Sequence, residues 1–234
     1  MSILQLLFII LVGYLIGSIP NAYFVTLIVK RINIFEVGSG NMGGTNVART
    51  LGLHWGIFTS VLDSLKGVVA VLIAQYLITS QVAYVPAMSA GLSVDLLVPS
   101  VVAGLAAVAG HNWSLFATLL FAYYQKKYEL RGGKGAATAF GTMLVILPII
   151  PNIILLAVGI SLALLTRYSS LSVLVSFSVA FIWVIGWSLL TEAVSSYYIL
   201  YVVLLAVLIV WRFRENIERL LSGTERRLGE RVST

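Results

Sequence analysis

Three separated stretches of the chain gather small hydrogen-bonding residues around a cation, and each suits the oxygens of a phosphate. The first, VGSGNMGGTNVART (residues 37–50), holds glycines, two asparagines and Arg49 but no acidic residue. Glycines permit left-handed turns and close approach, and successive backbone N–H groups form an anion nest. Ser39, Asn41, Thr45 and Asn46 add polar side chains, and the Arg49 guanidinium is a planar fork matched to phosphate. The second stretch, RGGKGAATAFG (131–141), sets Gly132, Gly133 and Lys134 just ahead of an apolar run. A helix starting there would bring its dipole, its free N–H groups and an ammonium to one point. The third, FRENIERLLSGTE (213–225), places Asn216 beside Arg214 and Arg219, with Glu225 further along.

Each stretch also has a plainer reading. The first can also be a glycine-rich turn and the second a positive anchor at a membrane face, while the third, taken alone, is an amphipathic tail. Gly38 to Gly43 match the dinucleotide fingerprint, with Asp63 in the acidic position. That fingerprint needs a preceding strand and a βαβ unit, whereas apolar helical runs flank it here, so the match is accidental. The second stretch is not a Walker A loop, because Tyr128 stands where the first glycine belongs.

The elements that must position these stretches are set by composition. Of 234 residues, 59% are hydrophobic and 10% charged, and the mean hydropathy is +1.00. Soluble domains carry about 25% charged residues, so the chain is read as an all-α integral membrane protein. The absence of cysteine excludes disulfides and thiolate metal sites, and two histidines are too few for a histidine-rich metal centre. No metal and no cofactor is expected. The net charge of +6 records membrane topology and anionic headgroups, not nucleic acid, for which no soluble domain remains. The N-terminal run has no basic segment before it and is expected to be a retained first helix.

Apolar runs near 3–28, 55–79, 98–122, 136–150, 152–166, 170–190 and 194–211 meet or approach the ~20 residues a spanning helix needs. The fourth and fifth are parted by LPIIPN, where Pro148 and Pro151 enforce a turn. They could form one kinked span, but charge favours seven. With seven, Lys30, Arg31, Arg49, Lys126, Lys127, Arg131, Lys134 and Arg167 share one side with the arginines after the last span. The alternate loops carry only Asp95 and Glu192. By the positive-inside rule the N-terminus is outside and the C-terminus cytoplasmic, with short cytoplasmic motif loops. The chain is expected to be a single membrane domain, 1–234, whose tail 213–234 forms an interfacial amphipathic helix.

Lys66 lies within the second run, three residues after Asp63, on the same helix face. It is either half of a structural ion pair or a cation holding an anionic substrate. His111, within the third run, is read equally as a buried hydrogen-bonding residue or a reacting one. Topology brings all three polar stretches to one face, which suggests one shared site for a phosphorylated substrate, open to cytosol and bilayer.

The motifs GSIPNAY, SGNMGGTN with ARTLG, LDSLKG, GHNW, RGGKGAATA and ENIERLLSGTE occur in the order found in the bacterial membrane-bound acyl-phosphate:glycerol-3-phosphate acyltransferase family, often called PlsY. The resemblance covers nearly the whole chain. It implies transfer of a fatty acyl group from acyl phosphate to the 1-position of sn-glycerol 3-phosphate, without metal or cofactor, at the bacterial cell membrane. It assigns Ser39, Gly40, Asn41, Thr45, Asn46, Arg49, Lys66, Gly132, Gly133, Lys134 and Arg214 to substrate phosphates. Lys134, Arg49 and Asn216 are the catalytic candidates, and His111, Thr138 and Glu225 are further ones. Membrane lipid is the expected surrounding partner; the sequence sets no oligomeric state and suits a monomer.

The chain departs from the family pattern at three places. Gly44 replaces an alanine, a minor change. The segment 113–130 is longer than usual, with LLFAYYQKKYE as the surplus, extending helix three or adding a basic-aromatic flap. Phe213 stands where the family has a histidine before Arg214 and Asn216, which bears on rate and specificity. Acyl phosphate is already activated, so direct attack by the glycerol hydroxyl is expected, without an acyl-enzyme. Two other readings stand beside this one: an altered homologue that binds phosphorylated lipids, and a transporter of a phosphorylated solute. A transporter would place its polar groups near the midplane, and here they cluster at one face.

Overall fold

The computed structural model describes residues 1–79, 94–190 and 196–230. Among these residues the chain forms ten α-helices and no strand: α1 Ile3–Gly17, α2 Asn21–Lys30, α3 Gly44–Leu51, α4 Leu53–Thr79, α5 Val94–Asn112, α6 Leu115–Gln125, α7 Ala136–Ile146, α8 Ile149–Thr166, α9 Ser169–Leu190 and α10 Ser196–Leu221. Glu192 and Arg231 lie outside the described residues, as does most of the loop before Asp95.

Among the described residues, six segments are long and apolar enough to cross a membrane: Ile3–Lys30, Leu53–Thr79, Leu96–Gln125, Ile149–Thr166, Ser169–Leu190 and Ser196–Leu221. Their outer faces are greasy. Ile28, Leu164, Leu165, Ile182 and Leu190 are each at least 70% exposed, and lipid is the solvent that covers such a surface. The inner faces pack as a core around Val71, Val108, Met143, Phe177, Tyr201 and Leu205. Two polar contacts cross it: Gln75 donates to Ser100 Oγ at 3.0 Å, and Thr142 Oγ1 and Tyr201 OH lie 2.7 Å apart.

The fourth expected run became α7, which has 11 residues and reaches about half the ~30 Å hydrocarbon thickness. It packs against α4 and α5 and is buried along most of its length, so it needs no contact with lipid. Pro148 caps α8, as a residue lacking an N–H does at a helix start.

Two breaks inside spans matter for the site. Pro20 separates α1 from α2, and Ser114 separates α5 from α6 while capping α6 through Ala117 N at 3.0 Å. The breaks are stitched together, because Ser114 Oγ donates to Ser18 O and Ser18 Oγ to Gly110 O. The long 113–130 segment thus does both expected things: α6 prolongs the third span, and residues 126–130 form an exposed basic-aromatic end.

The tail corrects the sequence expectation. No separate interfacial helix follows the last span among the described residues. Instead α10 runs unbroken to Leu221, and the chain then turns at Gly223, with Thr224 N and Glu225 N both donating to Arg219 O. The remainder folds back, and Leu228 N donates to Arg167 O at 2.6 Å. The arginine-flanked apolar stripe belongs to the end of α10.

Candidate active site

The first polar stretch is a loop wrapped around one side chain. Asn46, buried at the start of α3, accepts from Ser39 N at 3.0 Å and donates to Val37 O at 3.1 Å and Asn41 O at 3.2 Å. Its amide hydrogens are spent on the loop, so Asn46 shapes the nest while Ser39, Asn41 and Thr45 face the cavity beside it. One helical turn on, Arg49 also faces that space, and its Nε is buried without a hydrogen-bond partner. Burial, reinforced by the positive charge of Arg226, lowers the pKa of the guanidinium. An unspent, partly desolvated fork is primed for an anion.

Gly44 fixes how closely α3 approaches α4. A methyl group there would run into Ser60 Oγ and Gly56 O, so the family's alanine does not fit without a shift. The replacement is therefore more than minor: it draws the nest onto α4.

The second stretch locks onto its neighbours through backbone bonds. Gly133 N donates to His111 O at 2.9 Å, Met42 N donates to Gly132 O at 3.3 Å, and Arg212 grips Gly133 O with two N–H groups at 3.0 and 2.6 Å. A side chain at Gly133 would strike His111 Nε2 and Met42 O; only glycine lets these three segments meet. Lys134 is thereby held at the entrance to α7. Burial first, and the charge of Arg219 second, push its pKa down to about 8.

The third stretch completes the site with a relay. Lys134 Nζ donates to Asn216 Oδ1, and Asn216 Nδ2 donates to Glu225 Oε1 at 2.6 Å. Glu225 also accepts from Ser170 Oγ and Arg219 Nε, each at 2.8 Å. Burial alone would raise its pKa, but these three hydrogen bonds hold the carboxyl below its ordinary value. The Phe213 ring lies beneath Lys134 Nζ, 5.2 Å from its centroid.

These groups line one cavity of about 720 Å³. Its lining carries Arg49, Lys134, Arg219 and Arg226, four cations, together with Glu215 and Glu225. Its lining also includes apolar side chains: Val61 of α4, Phe140 of α7, Leu156 and Ile160 of α8 and Phe177 of α9. A charged head and a hydrocarbon tail could lie there together.

Of the sequence candidates, Ser39, Asn41, Thr45, Asn46, Arg49, Gly133, Lys134, Asn216, His111 and Glu225 line the cavity. Gly40 and Gly132 sit behind it as framework. Thr138 is fully buried in α7 with Oγ1 unpartnered and does not line the cavity. Two of the phosphate candidates, Lys66 and Arg214, do not line the cavity. Lys66 is behind the cavity wall, paired to Asp63 Oδ1 at 3.1 Å and donating to Ile19 O at 3.0 Å. Asp63 is held further by Asn21 and approached by His111 Nδ1 at 3.7 Å. The geometry is that of a buried ion pair joining α4, the Pro20 break and α5. Arg214 points away, stacking on Trp211 at 5.2 Å and donating to Trp211 O. Arg219 and Arg226 stand in the cavity instead. Sequence reasoning also missed Ser169, Ser172 and Ser176, whose spacing on α9 marks one helical face toward the cavity.

An all-helical, multi-pass membrane protein with an amphiphilic, cation-lined chamber is the class defined by this fold and site. A family model described as glycerol-3-phosphate acyltransferase matches residues 7–223, and the chain belongs to that family. It is 37% identical over 224 residues, 95% of each chain, to a glycerol-3-phosphate acyltransferase of Thermoanaerobacter pseudethanolicus. A protein of the same name from Clostridioides difficile is 35% identical over 231 residues, 99% of each. The fold is similar to crystal structures of PlsY, an integral membrane glycerol 3-phosphate acyltransferase. Its glycerol 3-phosphate form aligns with TM-score 0.71 and 32% identity over 96% of both chains. The lysophosphatidic acid form aligns with TM-score 0.69 and 31% identity, over 96% of this chain and 95% of that one.

Proposed function

We propose that this chain transfers a fatty acyl group from acyl phosphate to the 1-hydroxyl of sn-glycerol 3-phosphate, giving lysophosphatidic acid and inorganic phosphate. The observation that carries this reading is the cavity itself, whose lining combines four cations with apolar side chains of four helices. Two phosphate-bearing substrates, one with an acyl tail, match that combination.

The glycerol 1-oxygen attacks the acyl carbonyl carbon, the bond from that carbon to the phosphate oxygen breaks, and the hydroxyl proton passes to an oxygen of the departing phosphate. The nest at 38–41 and Arg49 hold one phosphate, and Lys134, fixed by Asn216, faces the other. Clamping both in near-attack geometry removes most of the entropic barrier, and fixed donors favour the developing oxyanion. Lys66 acts through Asp63, as a positioning residue. Acyl phosphate as donor and membrane lipid as surroundings belong to this proposal.

We place the cavity mouth on the cytoplasmic face of the plasma membrane, with the N-terminus outside and the C-terminus inside. The cationic left-handed caps Arg31, Lys126 and Arg167 end α2, α6 and α8, which agrees with the positive-inside rule. This orientation needs a seventh crossing at α7, which is too short to span by itself and is recessed against α4 and α5, in a single 1–234 domain. The test is purified protein in detergent with palmitoyl phosphate and glycerol 3-phosphate. Phosphate release that requires glycerol 3-phosphate and yields lysophosphatidic acid is expected; release independent of it would reduce the activity to hydrolysis.

A further inference from the structure

A second groove, of about 510 Å³, opens on the lipid-facing side where the Pro20 break meets α6. Ile19, Pro20, Phe24, Phe116, Leu119 and Tyr123 line it, and none of them lines the main cavity. It lies between the two chain breaks: Ile19 and Pro20 precede α2, Phe24 belongs to α2, and Phe116, Leu119 and Tyr123 belong to α6. Tyr23 OH donates to Tyr124 OH at 2.9 Å, tying α2 to α6.

At the end of α6 the charge changes sharply. Lys126 Nζ sits over the Tyr123 ring, 5.0 Å from the centroid, and makes no ion pair among the described residues. Lys127 is 73% exposed and meets Glu129 only at 3.6 Å. The cation of Lys126 thus stands at the rim of the groove, on a residue that lines it. Exposed Tyr124 and Tyr128 complete an aromatic and basic cluster of the kind that settles at headgroup level.

We propose that this groove binds one anionic phospholipid, an acyl chain lying along Phe116 and Leu119 and the phosphate resting against Lys126 and Lys127. Apolar lining alone would accept any lipid tail. The two lysines select negative headgroups, and lysines at such a surface weaken binding about five-fold each when removed, or about 1 kcal/mol. The site is separate from the acyl-transfer cavity and makes the longer α6 segment a lipid anchor.

Native mass spectrometry of detergent-purified, full-length protein tests this with phosphatidylglycerol against phosphatidylcholine. Retention of one phosphatidylglycerol in clear preference to phosphatidylcholine is expected. Replacing Lys126→Ala and Lys127→Ala together should weaken it about 25-fold, and Leu119→Trp should expel both lipids by filling the groove. Arg49→Ala should leave phosphatidylglycerol bound. Equal retention of the two lipids overturns the proposal. So does loss on Arg49→Ala with no effect of the lysine pair, which would locate the lipid in the main cavity.

Discussion

Lys134 and Asn216 lie 82 positions apart in the chain, yet the lysine ammonium donates to the asparagine carboxamide oxygen. The bond joins the entrance of α7 to the end of α10. It continues through Glu225, so the folded-back tail braces a cation that faces the cavity. The relay fixes where the positive charge stands and leaves it facing the cavity.

The pH dependence of activity follows from this lysine. Its pKa is lowered to about 8, so the ammonium is present below that pH and lost as pH rises through it. The substrate phosphate gains its second charge near pH 6. A bell-shaped kcat/KM is therefore expected, falling above about pH 8, and Lys134→Arg should carry the high-pH limb upward. Measuring kcat/KM for glycerol 3-phosphate from pH 5 to 10 checks this.

Arg49 and Arg214 should behave oppositely. The Arg49 guanidinium faces the cavity with an unpartnered Nε, whereas Arg214 stacks on Trp211 outside it. Arg49→Ala is expected to lower kcat/KM for glycerol 3-phosphate by about 100-fold or more. Arg214→Ala should stay within about two-fold. Steady-state kinetics of the two variants distinguish them directly.

That contrast shows what was legible in the sequence. The third stretch reads as an amphipathic tail separate from the last span, in which Arg214 and Arg219 both stand near Asn216. Because α10 continues through it, the helical period decides instead. Arg212, Asn216 and Arg219 fall at i, i+4 and i+7 on one face, and Arg214 lies opposite. Hydropathy exposed the six long spans well, since lipid forces continuous apolar runs. The recessed α7 was harder, because burial against α4 and α5 lets it be short. Lys66 shared a helix face with Asp63, so the pair was visible. Its links to Ile19 O and, through Asp63, to Asn21 and His111 depend on helix packing, which no local pattern encodes.

Removing the tail's carboxylate should loosen both fold and site. Glu225→Ala leaves Ser170, Asn216 and Arg219 without their shared acceptor, a loss of about 2 kcal/mol. The hydrogen bonds hold its pKa down in the fold, so its stabilisation is present above the unfolded value near 4.3 and lost as pH falls below it. Thermal unfolding in detergent is expected to show a lower midpoint for Glu225→Ala at pH 7 and convergence with wild type in acid.

Phe213 occupies the family's histidine position and supports Lys134 through its ring face. Such a contact contributes about 0.5–2 kcal/mol. Phe213→Ala is expected to reduce turnover about ten-fold, and Phe213→His, which keeps a planar ring, to stay within about three-fold. A gain above ten-fold for Phe213→His would show that this position limits the rate.

Following the glycerol oxygen is the most direct measurement of whether one chamber joins the two substrates. Glycerol 3-phosphate labelled with ¹⁸O at its 1-hydroxyl is mixed with palmitoyl phosphate and purified protein, and the products are weighed by mass spectrometry. Lysophosphatidic acid carrying all of the label in its ester, with unlabelled phosphate released in equal amount, is the expected result. Label in a glycerol bisphosphate, formed by attack at phosphorus, or palmitate formed without lysophosphatidic acid, would contradict it.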